Sequence, residues 1–236
     1  MASEVGHNKN AANFKSLFQI LEEMGSMYNP SNPAITLANL APIKQTLDDV
    51  ITTFNQKNPL YKNAVAQRET HMASLSKLTT RIVNSFRASG ASPSDIDNAD
   101  SLARLIRGSS RKSKANPETA SPETISTSRM SYDSRTANFD AMINYLERHP
   151  SYAPNEDAIA IASLKAINLQ QKQENVTVNQ TANELLTARS SRNRILYDSS
   201  TGAVQYTPII KSYLKSLGDA GKPYYKSAVR LKFVSH

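Results

Sequence analysis

The stretch ANFKSLFQILEEMGSMYNPSNPAI, residues 12–35, decides the fold, because residues 137–159 repeat it as ANFDAMINYLERHPSYAPNEDAI. At a shift of 125, Ala12, Asn13, Phe14, Leu21 and Glu22 fall on Ala137, Asn138, Phe139, Leu146 and Glu147. One residue is then dropped, and Tyr28, Pro30, Ala34 and Ile35 fall on Tyr152, Pro154, Ala158 and Ile159. Leu40, Ile43, Ala64 and Arg68 continue onto Leu164, Ile167, Ala188 and Arg192. After a small insertion Ser85, Phe86 and Ser89 meet Ser212, Tyr213 and Ser216, and Arg104–Leu105 meet Arg230–Leu231. A single order of matches over this length predicts an internal duplication, and two copies are too few for a solenoid.

Each copy reads as helix. Phe14, Leu17, Phe18, Leu21 and Met24 step by three and four, and Phe139, Met142, Ile143 and Leu146 repeat that apolar stripe. "YNPSNP" and "YAPNE" break the chain, since the residue before a proline is pushed out of the α region. The tyrosine of each break, Tyr28 or Tyr152, is expected to pack over the turn. A second helix is predicted over about 34–57, with Leu40, Ile43, Leu47, Val50 and Phe54 forming its seam. Its counterpart is placed at about 156–173, where Gln171 and Glu174 mark a departure between the copies. A third helix is predicted from about 60 onward, ending in the second copy at the turn signal "DSSTG". A fourth carries "RIVNSF" or "PIIKSYLKSL", and each copy closes on a turn and a short basic tail.

The predicted fold class is therefore all-α: two tandem, pseudo-symmetric up-and-down bundles of three to four helices each. Length agrees, since 236 residues suit one large or two small domains of roughly 100–150 residues. The expected division is a disordered tail at 1–11, bundles at 12–108 and 135–233, and a Ser/Pro-rich linker at 109–134.

"YAPNEDAIAIASLKA", "ARSSRNRILYDSSTG", "PYYKSAVRLKF" and "TTRIVNSFRASGAS" resemble a family of two-repeat helical proteins widespread in Bacteroidota. The likeness covers nearly the whole chain and departs mainly in the linker. It implies a helical fold and a bacterial origin, and it brings no established activity and no catalytic residues.

Composition restricts the chemistry. There are no cysteines, which excludes disulfides, thiolate metal sites and a cysteine nucleophile. The N-terminal "MASEVGHNKN" has no apolar core, so no secretory signal is read there. No apolar run approaches the roughly 20 residues of a membrane span, and a cytoplasmic protein is expected. His7, His71, His149 and His236 hold no ligand spacing beyond Glu4–His7. Glu22–Glu23 and Asp48–Asp49 are sequence neighbours, about 100° apart on a helix, and do not converge. "NVT" at 175 and "NQT" at 179 are glycosylation sequons in form only. No phosphate-loop, dinucleotide or nucleophile-elbow motif occurs. An enzyme, a cofactor and a small-molecule substrate are all unexpected.

What stands out is positive charge: +8, from 28 Lys and Arg against 20 Asp and Glu. It gathers where each copy ends. The candidate contacts for an anionic partner are Arg104, Arg107, Arg111 and Lys112 in the first copy. In the second they are Lys211, Lys215, Lys222, Tyr224, Tyr225, Lys226, Arg230 and Lys232. Lys114, Tyr213 and Phe233 lie among them. Cations are favoured at helix C-termini by the dipole, by about 0.3–1 kcal/mol each, which is the plain explanation. The functional reading is a scaffold or interaction protein that self-assembles or bridges two copies of a protein partner. The alternative is a nucleic-acid-binding protein using those basic segments.

Overall fold

A computed structural model describes residues 4–108 and 131–234. Every element in them is helical: α1 (Glu4–Glu23), α2 (Leu37–Ala88), α3 (Pro93–Arg107), α4 (Tyr132–Glu147), α5 (Ile161–Tyr197), α6 (Ala203–Ser216) and α7 (Gly218–Arg230). Short 3₁₀ turns at Gly25–Met27, Pro33–Ile35 and Asp157–Ile159 sit in the proline breaks.

The breaks close as their sequences suggest, and in the same way. Tyr28 is buried and its hydroxyl donates to the carbonyl of Ile35 at 2.5 Å; Tyr152 is buried and donates to Ile159 at 2.8 Å. Burial raises both phenols, Tyr152 to about 12, with Glu156 adding to the rise. Each tyrosine therefore fastens the start of the following long helix to the turn before it. "DSSTG" is also a turn: Asp198 Oδ1 accepts from the backbone N–H of Ser200 and Thr201, both at 2.9 Å.

Helix boundaries depart from the expectation in one decisive respect. The second, third and fourth predicted helices of the first copy are one helix of 52 residues, α2, which runs through Pro59. In the second copy the two helices expected before "DSSTG" are likewise one, α5, of 37 residues. A proline inside a helix forfeits the bond to the carbonyl four residues back and costs about 3 kcal/mol. Around Pro59 that cost is offset by burial of Phe54 before it and Ala64, Met72 and Leu75 after it, at about 1.5–3 kcal/mol for each large side chain.

Because α2 does not turn back at residue 59, neither copy forms a bundle of its own. This corrects the boundaries 12–108 and 135–233. One compact unit takes the residues up to Leu60 with those from Ala182 onward; the other takes Tyr61–Thr181. In the first unit Phe14, Leu17, Leu21, Leu40 and Leu47 pack with Leu196, Ile210, Leu214 and Ala228. In the second, Met72, Leu75, Ile82, Phe86, Ala103 and Ile106 pack with Phe139, Met142, Leu146 and Leu164. Each core thus joins the opening of one copy to the close of the other.

Two smaller expectations also give way. The tail expected to be disordered is helical from Glu4, and His7, Asn10 and Ala11 are buried. Of the expected linker, residues 109–130 lie outside the described residues. Its last residues open α4, where the Ser131 hydroxyl caps the helix by accepting from the Ser134 N–H at 3.1 Å.

Candidate anionic-partner surface

The richest group of candidate residues sits on α6 and α7 in the first unit. α6 continues almost directly into α7, and Gly218 makes the corner at φ +63°, a conformation that L side chains rarely adopt. Gly221 then lets the two helices close: a Cβ there would lie 2.6 Å from the Leu214 carbonyl oxygen and 2.6 Å from the Leu217 Cβ. The "GDAGKPYYKSAVR" segment, expected to be a turn and a basic tail, is for these reasons a helix.

α7 is buried only at Gly221 and Ala228, so its other side is free to carry charge. Lys222, Lys226 and Arg230 follow at intervals of four residues, all exposed, and form one ridge. Lys215, also exposed, shares with Lys222 and Tyr225 a shallow cavity of about 270 Å³ at the α6–α7 corner. Asp219 lies in the same cavity, 3.6 Å from the Lys222 ammonium, and takes part of its charge.

Other candidates are engaged in the fold. The Lys211 ammonium donates to the Leu231 carbonyl at 2.7 Å and lies 5.2 Å from the centroid of the Phe233 ring. Its burial, with Lys232 nearby, holds its pKa below the usual lysine value. Tyr213 accepts from the Asn29 N–H at 3.0 Å and meets Tyr28 edge-on at 5.3 Å. Tyr224, Tyr225 and Phe233 are half-buried against the core of the first unit. Lys232 is exposed, while its carbonyl accepts from Asn13 Nδ2 at 2.6 Å. Arg104 and Arg107 stand half-buried in the last turn of α3, in the second unit. Arg111, Lys112 and Lys114 lie outside the described residues.

Among the described residues, no three His, Asp or Glu side chains come together as metal ligands would. His7 Nδ1 meets the Tyr197 hydroxyl at 2.8 Å, and His71 pairs with Glu174. His149 Nδ1 donates to the Tyr145 carbonyl at 2.7 Å, with its Nε2 3.4 Å from Asp95. Asp95 belongs to the cap of α3: the Ser92 hydroxyl donates to it at 2.7 Å, and this bond, ahead of His149 and Tyr145, holds its pKa below the usual carboxylate value. The adjacent carboxylates diverge: Asp48 pairs with Lys15, while Asp49 accepts from Gln45. Asn175 of the first sequon is buried, out of reach of a glycan.

Sequence reading missed a polar seam on α5. Asn168, Gln171 and Asn175 are buried in the second unit, at the three- and four-residue steps that continue from Leu164. That spacing is legible once α5 is known to be unbroken. The chain matches no protein-family model, no curated protein and no solved structure.

Proposed function

We propose that this protein is a non-enzymatic helical scaffold, located in the cytoplasm, that self-assembles or bridges two copies of one protein partner. The observation that carries the reading is the equivalence of the two proline breaks. Tyr28 and Tyr152 make the same hydroxyl-to-carbonyl bond seven residues ahead, one in each unit. Two like elements in two separate units suit two like contacts, and linking weak sites raises avidity by about 10²–10⁴ without any new contact. Among the described residues no helix is long and apolar enough to cross a membrane.

The test is sedimentation of the purified chain over a wide concentration range, with native mass spectrometry of complexes recovered from the source lysate. Concentration-dependent association, or a partner held at two per chain, supports the reading. A strict monomer that captures nothing removes it.

The ridge of Lys222, Lys226 and Arg230 favours a second reading, a polyanion such as nucleic acid bound along α7. Binding to single- or double-stranded probes then falls with added salt, and each lost phosphate contact lowers the log–log salt slope by about 0.7–0.9. The triple substitution K222A/K226A/R230A should flatten that slope. Absence of any binding at low salt rejects this reading.

A further inference from the structure

Among the described residues, six buried side-chain atoms have no hydrogen-bond partner: Arg68 Nε, Arg107 Nε, Asn168 Oδ1, Gln171 Oε1, Glu174 Oε2 and Asn175 Oδ1. All belong to the second unit. A buried polar group left unpaired costs about 1–3 kcal/mol, so each calls for a physical account. One of them adjoins open space. Between α4 and α5 lies a cavity of about 280 Å³ whose lining includes Asp133, Thr136, Lys172, Asn175, Val176 and Asn179. Asn175 is only 4% exposed. Its Nδ2 donates to Thr136 Oγ1 over a long 3.4 Å, and its Oδ1 has no partner.

Two opposite charges stand at this cavity. Lys172 donates to Asp140 at 3.0 Å and is half-exposed, which leaves ammonium protons for another acceptor. Asp133 is exposed and makes no ion pair with any described cation. Its place in the first turn of α4 suits the helix dipole, and among the described residues none pairs with its carboxylate oxygens. Asn175 and Asn179 are one helical turn apart and add amide groups; Val176 supplies an apolar wall. The volume lies just below the roughly 300–1,000 Å³ of pockets for drug-sized molecules, so the occupant is small.

We propose that this cavity binds a small zwitterion of the α-amino-acid class. The ammonium meets Asp133 and the Asn175 carbonyl oxygen, and the carboxylate meets Lys172. The site is separate from the α7 ridge, and neither reading of the partner depends on it.

The experiment is a ¹⁵N NMR titration of the full chain with L-alanine, with propionate and ethylamine as the two single-charge fragments of the same skeleton. Saturable shifts are expected at residues 133–137 and 172–179 and at the Asn175 side-chain amide. Each fragment should bind about tenfold more weakly or worse, as should D133N and K172M, whose side chains are exposed and whose fold is checked by thermal melts. The proposal is overturned if L-alanine gives no saturable shift. It is equally overturned if either fragment matches L-alanine, or if both folded variants bind as the parent does.

Discussion

Asn10 joins the ends of the described chain. It is fully buried on α1, and its Nδ2 donates to the Val234 carbonyl at 2.7 Å and to the Tyr197 hydroxyl at 3.0 Å. Its Oδ1 accepts from the Val234 N–H at 3.0 Å. Replacing it with Ala strands buried groups, and Asn10→Ala should lower the unfolding free energy by about 1–3 kcal/mol in denaturant melts. Asp198 is tied to pH. Hydrogen bonds from Ser200 and Thr201 hold its pKa below the ordinary 3.8, so the folded state keeps it ionised where the unfolded chain takes up a proton. Its contribution is present above pH 3.8 and is lost as pH falls further. Melting temperatures measured from pH 5 down to pH 2 should drop less steeply in Asp198→Asn than in the parent. Neither role could be read from the sequence. Asn10 looked like part of a frayed polar tail, since its partners lie at the far end of the chain. Asp198 sat in a recognised turn signal, and there only the acceptor geometry was hidden.

At the scale of elements, the long helices and the α6–α7 corner are the two sources of error and of prediction. Pro59 costs α2 one backbone hydrogen bond that its burial on both sides outweighs. Removing the ring should recover it, and Pro59→Ala should stabilise the protein by up to about 3 kcal/mol, seen as a raised denaturant midpoint. Gly221→Ala acts in the opposite sense. Its Cβ would press on the Leu214 carbonyl and Leu217, at a cost of about 1–3 kcal/mol and with α7 signals shifting first in NMR spectra. The apolar stripes, Phe14 to Met24 and Phe139 to Leu146, were legible because a helical face declares itself by period. The proline breaks at 30 and 154 were legible for a local reason as well. The expected gap between residues 57 and 60 is where Pro59 stands, and local chemistry alone disfavours a helix there. What keeps α2 whole is packing with residues distant in sequence, such as Leu196 for its first half and Phe139 for its second.

For the whole molecule, the cores of the two units differ in kind. The first also buries polar side chains, but His7, Asn10 and Thr207 are hydrogen-bonded there and Arg192 lies over the Phe54 ring at 4.6 Å. The second carries the polar seam of α5, including Asn168 Oδ1, Gln171 Oε1 and Asn175 Oδ1 without partners. Unsatisfied polar groups weaken a core, so hydrogen–deuterium exchange should reach α4 and the Ile161–Thr181 part of α5 before α1 and α6. Gln171→Leu should slow that exchange, through removal of an unpaired acceptor. The candidate surface was legible only in part. Lys222, Lys226 and Arg230 were found as a charge run, but whether a lysine faces water or a carbonyl, as Lys211 does, is decided by neighbours that the run does not contain.

The nesting of one unit inside the sequence of the other has a bearing on how the protein is made. Tyr61–Thr181 is continuous and can fold as soon as it leaves the ribosome. α1 is made before α6 and α7 and must wait for them, which at about 5–20 residues per second takes on the order of ten seconds or more. For that interval Phe14, Leu17 and Leu21 have only the early part of their core, such as Leu40 and Leu47, to pack against, which makes the nascent chain a ready client for a chaperone that grips greasy helices.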